Sequence, residues 1–423
     1  MKAGSPNRVL FTLSLLHGAT HLFTTFLQPL NHELKAFFNL TLDQDVTRIP
    51  SIYLVSYALA NLAAGLFSRH FQSRTLLAFG PIFNGLCVMA MFWLRPDQYI
   101  AACVLVALGA AGGGLYHPVA NLLLTRTFPE NKGRALGIVG IGACVAFIVG
   151  PLLASILVHR QICTWQHICL AYGSIGVACG ALALALVPTD EIIRPEAARA
   201  AKAAADQTVL APVLLFALFL IMAMGPREMA SWGLTAITQQ FSAKSSATPV
   251  DPGLLLAFIF LPGLIVQPLA GKWSDTFGRE RVLAVAYLGM AFSLLILPLV
   301  PGGLIALPYL LFGVAMSATV PTMEALAAER APIHLRGMIY GLVITSAIVL
   351  GSLGPLIVGR IADAGERTLE SYRNCFWALA FGCMISFALA LILKPMARFA
   401  KVEQFGESRN QPLVTIAETE PVA

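Results

Sequence analysis

The sequence predicts an all-α integral membrane protein, with twelve transmembrane helices arranged as two pseudo-symmetric six-helix bundles. Three observations carry that prediction: the composition, the spacing of apolar runs and an internal repeat. Of 423 residues, 57% are hydrophobic and 12% charged. A soluble domain averages about 45–50% apolar and about 25% charged. Half the usual charge cannot cover the surface of a water-soluble chain of this length. A bilayer core is crossed by roughly 20 mostly apolar residues in a helix. Such segments occur at 9–30, 46–67, 75–94, 99–124, 133–158, 165–187, 209–240, 254–271, 282–299, 302–327, 337–358 and 372–393. The runs are continuous rather than alternating, which excludes a β-barrel.

The first segment is too long for the cleavable core of a signal peptide, and what precedes it is short and polar, so it is expected to stay as a span. Orientation follows from the placement of Lys and Arg. With the N-terminus inside, 19 of the 28 lie in inner loops and tails, 8 in outer loops, and Arg227 within a span. Inner loops rich in Lys and Arg place both termini in the cytoplasm, so the net charge of +6 needs no nucleic-acid partner. The environment is the lipid bilayer, most simply a bacterial inner membrane, and the chain is expected to be a monomer. The cysteines lie mostly within spans without metal-type spacing and are expected to be small buried hydrophobes. Asn39-Leu40-Thr41 is a glycosylation sequon on the outer side, relevant only in a secretory host.

The stretch 188–208, "PTDEIIRPEAARAAKAAADQT", is polar and Ala-rich and cannot span. It divides the chain into an N-terminal bundle (1–187), a cytoplasmic linker (188–208), a C-terminal bundle (209–393) and a cytoplasmic tail (394–423) expected to be disordered. The bundles echo each other. Gly133, Gly137, Gly150 and Pro151 recur as Gly337, Gly341, Gly354 and Pro355, and just upstream Pro118 and Pro129 recur as Pro321 and Pro332. Gly and Pro set backbone geometry rather than hydrophobicity, so oily composition alone does not reproduce them at one offset. Duplication does. Small residues let helices approach closely, and the Gly-Pro pairs Gly150-Pro151 and Gly354-Pro355 interrupt helical hydrogen bonding. A repeated six-span unit on a polar linker is the plan of a rocking transporter.

After the eighth segment, "GKWSDTFGRERVL" resembles the loop signature of the major facilitator superfamily, Gly-x-x-Ser/Ala-Asp-x-x-Gly-Arg-Arg/Lys. Gly271, Ser274, Asp275, Gly278 and Arg279 match it; Glu280 stands where a basic residue is frequent. In that family such loops stabilise one of two access states. Physically, Asp275 is expected to accept from helix-end amides while Arg279 and Arg281 hold the cytoplasmic face; a plain basic topology signal is the alternative. The N-terminal counterpart, "GLFSRHFQSR", keeps Gly65 and Ser68 but has Arg69 and Gln72 where Asp and Gly are expected. "HLFTTFLQPL" and Tyr116-His117-Pro118 resemble the fosmidomycin-resistance group of efflux transporters within the superfamily. The fourth segment departs from many proton antiporters in lacking an intramembrane Arg before its Gly run, and so lacks one residue of the usual drug–proton antiport coupling.

Ionisable groups well inside a span occur in four segments: His17 and His21 in the first, His117 in the fourth, Arg227 and Glu228 in the seventh, Glu324 in the tenth. Every third helix is the spacing of paired three-helix repeats, and in the resembled family these helices line the central cavity. Polar stripes accompany them: His17, His21, Thr24, Gln28 and His32; His117, Asn121 and Thr125; Glu228, Ser231, Thr235 and Gln239. Steps of three or four share one helix face. A charge at mid-membrane costs about 2.5–3.5 kcal/mol on insertion scales, so Arg227, Glu228 and Glu324 must pair or border water. Gly225-Pro226 loosens the helix beside Arg227, which suits an anionic or zwitterionic ligand group; a structural Arg–Glu pair between the seventh and tenth segments is the alternative.

For His17, His21 and His117, hydrogen-bonded packing stands beside a proton or substrate role. No Cys or Asp accompanies them, so no metal is assigned, a transition-ion site being the third alternative. The function expected is secondary active transport of a small polar or amphipathic solute by alternating access, coupled to protons, with no cofactor. Gly271-Lys272 lacks the pattern of an ATP-binding loop. A non-transporting membrane sensor or scaffold on the same fold is the alternative class, as is a metal transporter. An enzyme is not expected, because neither a nucleophile nor a paired-metal constellation stands beside Glu324.

Overall fold

The computed structural model describes residues 6–67, 71–128, 132–189, 207–246, 249–330 and 336–408. These residues are helical throughout their ordered elements, with no strand among them. Eleven helices are long and apolar enough to cross a membrane. The remaining expected span coincides with the 25-residue helix Asp43–Phe67, so spans are numbered here one to twelve in chain order. Large apolar side chains such as Phe11, Ile100, Val285 and Phe381 are exposed, as helices in a lipid solvent require.

Helix pairing repeats with an offset of six spans. Span one packs on span five and span three on span six; span seven packs on span eleven and span nine on span twelve. The buried core divides likewise, one cluster drawn from residues between Phe216 and Ala390 and two others whose buried members all come from the N-terminal half. Between the halves, span two lies against span eleven and span five against span eight. Missing side chains make the tightest contacts: a Cβ on Gly142 of span five would run into the Ser14 carbonyl of span one, and a Cβ on Gly114 into the Tyr57 carbonyl.

Breaks fall where proline removes an amide and crowds the carbonyl four residues back. Span four is two helices, Tyr99–Gly114 and Tyr116–Thr127, parted at Leu115 just ahead of Pro118. Span eleven parts at Ser352, between Arg336–Gly351 and Leu353–Ala364, just ahead of Pro355. Pro151 instead lies inside the continuous helix Lys132–His159, and Pro321 inside Ala306–Arg330. In the latter, the Thr319 hydroxyl donates to the Met316 carbonyl at 2.7 Å and Thr322 to Ala318 at 2.8 Å. Such hydroxyl bonds help re-satisfy a proline-disturbed helix.

Four expectations need correction or fall outside. The polar stripe of span one is not one face: Pro6–Thr25 ends, Gln28–Leu30 forms a tight turn around Pro29, and Asn31–Phe37 starts afresh, which carries His32 away from His17. Gly225-Pro226 does not open span seven, which runs unbroken as Gln207–Ser245. The last helix runs past 393 to Ser408, so the tail is helical at its start. Most of the linker, Ser68 and Arg69 of the N-terminal loop, Pro129, Pro332 and residues 409–423 lie outside the described residues.

Candidate functional site

Two polar clusters sit inside the membrane region, one in each half. In the C-terminal half a cavity is lined by Arg227 and Glu228 of span seven, Thr319, Met323 and Glu324 of span ten, and Tyr287 of span nine. Arg227 is buried and pairs through Nη1 with the carboxylate of its own neighbour, Glu228. Its Nη2 reaches the Met316 carbonyl of span ten at 3.4 Å. The second Glu228 oxygen accepts from Trp232 Nε1 at 3.1 Å. The buried Arg227 Nε and Tyr287 hydroxyl have no hydrogen-bond partner among the described residues, leaving two donors aimed at the cavity region. Glu324 lines the same cavity and is exposed. Arg227 thus pairs within span seven, rather than across to span ten as the alternative has it, with Glu324 on the wall formed by span ten.

In the N-terminal half His17, His21 and His117 come together, their ligand nitrogens all within 4.8 Å of one another. Two causes place them. His17 and His21 are one turn apart on span one, and the break at Leu115 turns His117 inward at the start of the second helix of span four. The close approach of spans one and five at Gly142 brings the Val139 carbonyl to 2.9 Å from His17 Nδ1. Tyr116 stacks on His17 at 5.1 Å, and Phe147 covers His21 at 4.7 Å. Asn121 lies one turn beyond His117, half-buried. Phe147 also stacks on Phe260 of span eight at 4.6 Å, so the cluster borders the seam between the halves.

A third constellation, which sequence reasoning missed, joins the halves at the end away from the termini. His159, the last residue of the helix of span five, lies 3.0 Å from Glu33 and 3.3 Å from Asp251, the latter in the C-terminal half. Ser155 donates to Asp251 at 3.0 Å, and Gln239 of span seven donates to Glu33 at 3.1 Å. Burial alone pushes the Asp251 carboxyl up. The bonds from His159, Ser155 and the Leu254 amide outweigh that and hold it below its ordinary value. Beside this bridge, Asp363 of span eleven accepts the Asp43 and Gln44 amides, each at 2.9 Å, capping the N-terminus of span two from the other half. A carboxylate there also meets the positive end of the helix dipole. Asp43 is itself held by Lys35 and by the Tyr372 hydroxyl, both at 2.7 Å. The molecule is closed at this end.

The family model described as Major Facilitator Superfamily matches residues 10–233 and again 227–419. The chain belongs to the major facilitator superfamily. The Fosmidomycin resistance protein of Escherichia coli strain K12 is similar over 408 residues at 24% identity, covering 91% of this chain and 94% of that one. The Multidrug resistance protein MdtG of Enterobacter lignolyticus is 24% identical over 295 residues, covering 67% and 68%. Among solved structures, a D-xylose–proton symporter superposes with a TM-score of 0.75 at 14% identity, covering 92% of this chain and 97% of that one. A bacterial homologue of the lysosomal transporter Spinster gives 0.75 at 14%, covering 94% and 98%. These last two show the fold, with both bundles present.

Within that family the signature loop is an ordered corner. Gly278 takes φ +94° between Gly263–Phe277 and Arg279–Ile296, a region open to glycine because it has no Cβ. Ser274 donates to the Gly271 carbonyl at 2.8 Å and accepts from Arg279, whose other nitrogen meets Asp275 at 2.7 Å. Asp275 thus serves Arg279 rather than free helix amides. At the packing positions, the Gly150 carbonyl accepts from Tyr172 at 2.8 Å, the Pro151 carbonyl meets Gly253 of span eight, and Gly354 lets span eleven onto the Met229 backbone of span seven.

Proposed function

We propose that this superfamily member is a secondary active transporter that moves a small polar or amphipathic solute by alternating access, driven by protons. The observation that carries the reading is the C-terminal cavity, where Arg227, Glu228 and Glu324 face one space. An anionic or zwitterionic solute group competes with Glu228 for the Arg227 guanidinium, which offers several donors in one plane. Glu324, which lines that cavity, takes the proton, with Arg227, Glu228 and Tyr287 as the polar groups around it. His17, His21, His117 and Asn121 form the facing polar station in the N-terminal half. The bodies that rock are residues 1–187 and 209–393, with Gly150-Pro151 and Gly354-Pro355 at their contacts and the loop from Gly271 to Arg279 steadying one access state.

The excess of Lys and Arg at the end carrying the termini supports a cytoplasmic position for both, in a bacterial inner membrane, with the chain acting as a monomer. The bridge at His159 then closes the outer face. Two relatives named for drug resistance support export as the direction. The test is flux from proteoliposomes under an imposed pH gradient, over a panel of small organic anions and zwitterions that includes fosmidomycin. Flux of one compound that collapses with the gradient is expected. Binding without net movement of any compound would turn the reading to a membrane sensor on the same fold.

A further inference from the structure

The histidine cluster carries an inference that does not depend on transport. We propose that His17, His21 and His117 bind a divalent transition cation of the Zn2+ or Co2+ type, one imidazole nitrogen from each. The hydrogen bonding fixes which nitrogens face the site. The Val139 carbonyl can only accept, so His17 carries its proton on Nδ1, 2.9 Å away, and turns the lone pair of Nε2 inward. A second-shell carbonyl that sets the tautomer and aim of a histidine is the usual support of an imidazole ligand.

The next nitrogen is already in place. His21 Nε2 lies 3.1 Å from His17 Nε2, close to the ~3.3 Å between two nitrogens bound at ~2.0–2.1 Å to one tetrahedral ion. His117 completes the set within 4.8 Å of the others. Every nitrogen pair of a tetrahedral site stands ~3.3 Å apart, so the widest pair here closes by about 1.5 Å, with His117 on the first turn after the break at Leu115. Its ring is 5.0 Å from that of His17 and 5.4 Å from that of His21.

Without a cation the cluster is incompletely bonded. His17 Nε2 must accept, so His21 Nε2 donates, and the remaining His21 Nδ1 is a buried acceptor with no partner among the described residues. The Tyr57 hydroxyl beside that ring is buried and unpartnered as well. With a cation bound, the Nε2 lone pairs of His17 and His21 both go to the metal in place of the single bond between them. Three neutral imidazoles without a carboxylate or thiolate favour zinc, cobalt, nickel or copper over magnesium and calcium. The three residues are half-buried, so the cluster is not sealed on every side.

The test uses the full chain, purified through a tag without histidines and gel-filtered after exposure to ZnCl2. Retention of one zinc per chain is expected, with visible ligand-field absorption when CoCl2 replaces it. His17→Ala and His117→Ala should each lower zinc affinity by at least about tenfold, while the exposed-site variant His167→Ala leaves it unchanged. A footprint of the wild type needs no variant to fold: diethyl pyrocarbonate with and without zinc should show His17, His21 and His117 protected and His167 not. Absence of retained zinc, undiminished retention in the variants, or protection of His32 and His159 in place of the cluster would overturn the proposal.

Discussion

The two halves share a scaffold and differ in what they bury. Span four of the N-terminal half breaks before Pro118 while span five runs through Pro151; in the C-terminal half span ten runs through Pro321 while span eleven breaks before Pro355. Of these four repeated prolines, one in each half follows a break, at a different member of the repeat. The polar cargo differs in kind. At one offset from the shared prolines Asn121 of the N-terminal half stands where the other has Glu324, and three imidazoles answer an Arg–Glu pair. Neutral donors and acceptors can be buried among aromatic rings with few bonds, whereas a charge at this depth needs a partner or water. The C-terminal half supplies Glu228 for Arg227 and a cavity that Glu324 lines. Duplication thus preserved backbone packing and left chemistry free to diverge.

The sharpest way to break the comparison is Arg227→Ala. It leaves the half-buried Glu228 with only Trp232 beside it; removing one partner of a fully buried pair costs about 3–5 kcal/mol, the upper bound here. A large fall in melting temperature and loss of flux are expected. The double change Arg227→Met with Glu228→Leu separates the two effects, since it should recover much of the stability and none of the transport. In the N-terminal half the vulnerable point is packing. Gly142→Leu drives a side chain into the Ser14 carbonyl, with an expected cost of about 1–3 kcal/mol for overpacking. Thermal melts of the variant should fall by less than those of Arg227→Ala.

The seam between the halves gives a smaller effect. His159→Ala removes the group shared by Glu33 and Asp251, all three partly exposed. Such pairs are worth up to about 1 kcal/mol, so spin-label distances across the closed end should show a several-fold rise in the open population. The pH dependence has a definite sign. Asp251 is held below its ordinary value when the end is closed, so its contribution to closure is full above the free carboxyl value of about 3.9 and fades as pH falls below it. The smallest effect is at the signature loop, where Asp275 is 65% exposed in its pair with Arg279. Asp275→Asn should lower stability by about 0.3–0.5 kcal/mol, within reach of a careful denaturation series.

Much of this was legible in the sequence because it depends on pattern. Apolar length set the spans, repeated Gly and Pro exposed the duplication, and the scarcity of intramembrane charge singled out the two clusters. What stayed hidden depends on which helices meet. His159, Glu33 and Asp251 sit near span ends, where charge looks like topology, and only the packing of span five against span eight makes them a bridge. The alternative in which Arg227 reaches across to Glu324 gives way to its adjacent residue, Glu228. The stripe of span one failed at Pro29, a residue whose helix-breaking chemistry was visible within the quoted motif.

The central claim is that solute recognition belongs to the charged cavity of the C-terminal half. Its most direct measurement is proton-driven flux in proteoliposomes of the panel compound that most stabilises the wild type, comparing Arg227→Gln with Arg227→Lys. The account predicts at least about a tenfold loss, near 1.4 kcal/mol, for Arg227→Gln, with partial retention when Lys keeps the positive charge. Wild-type flux in Arg227→Gln, with an unchanged dependence on the gradient, would contradict it.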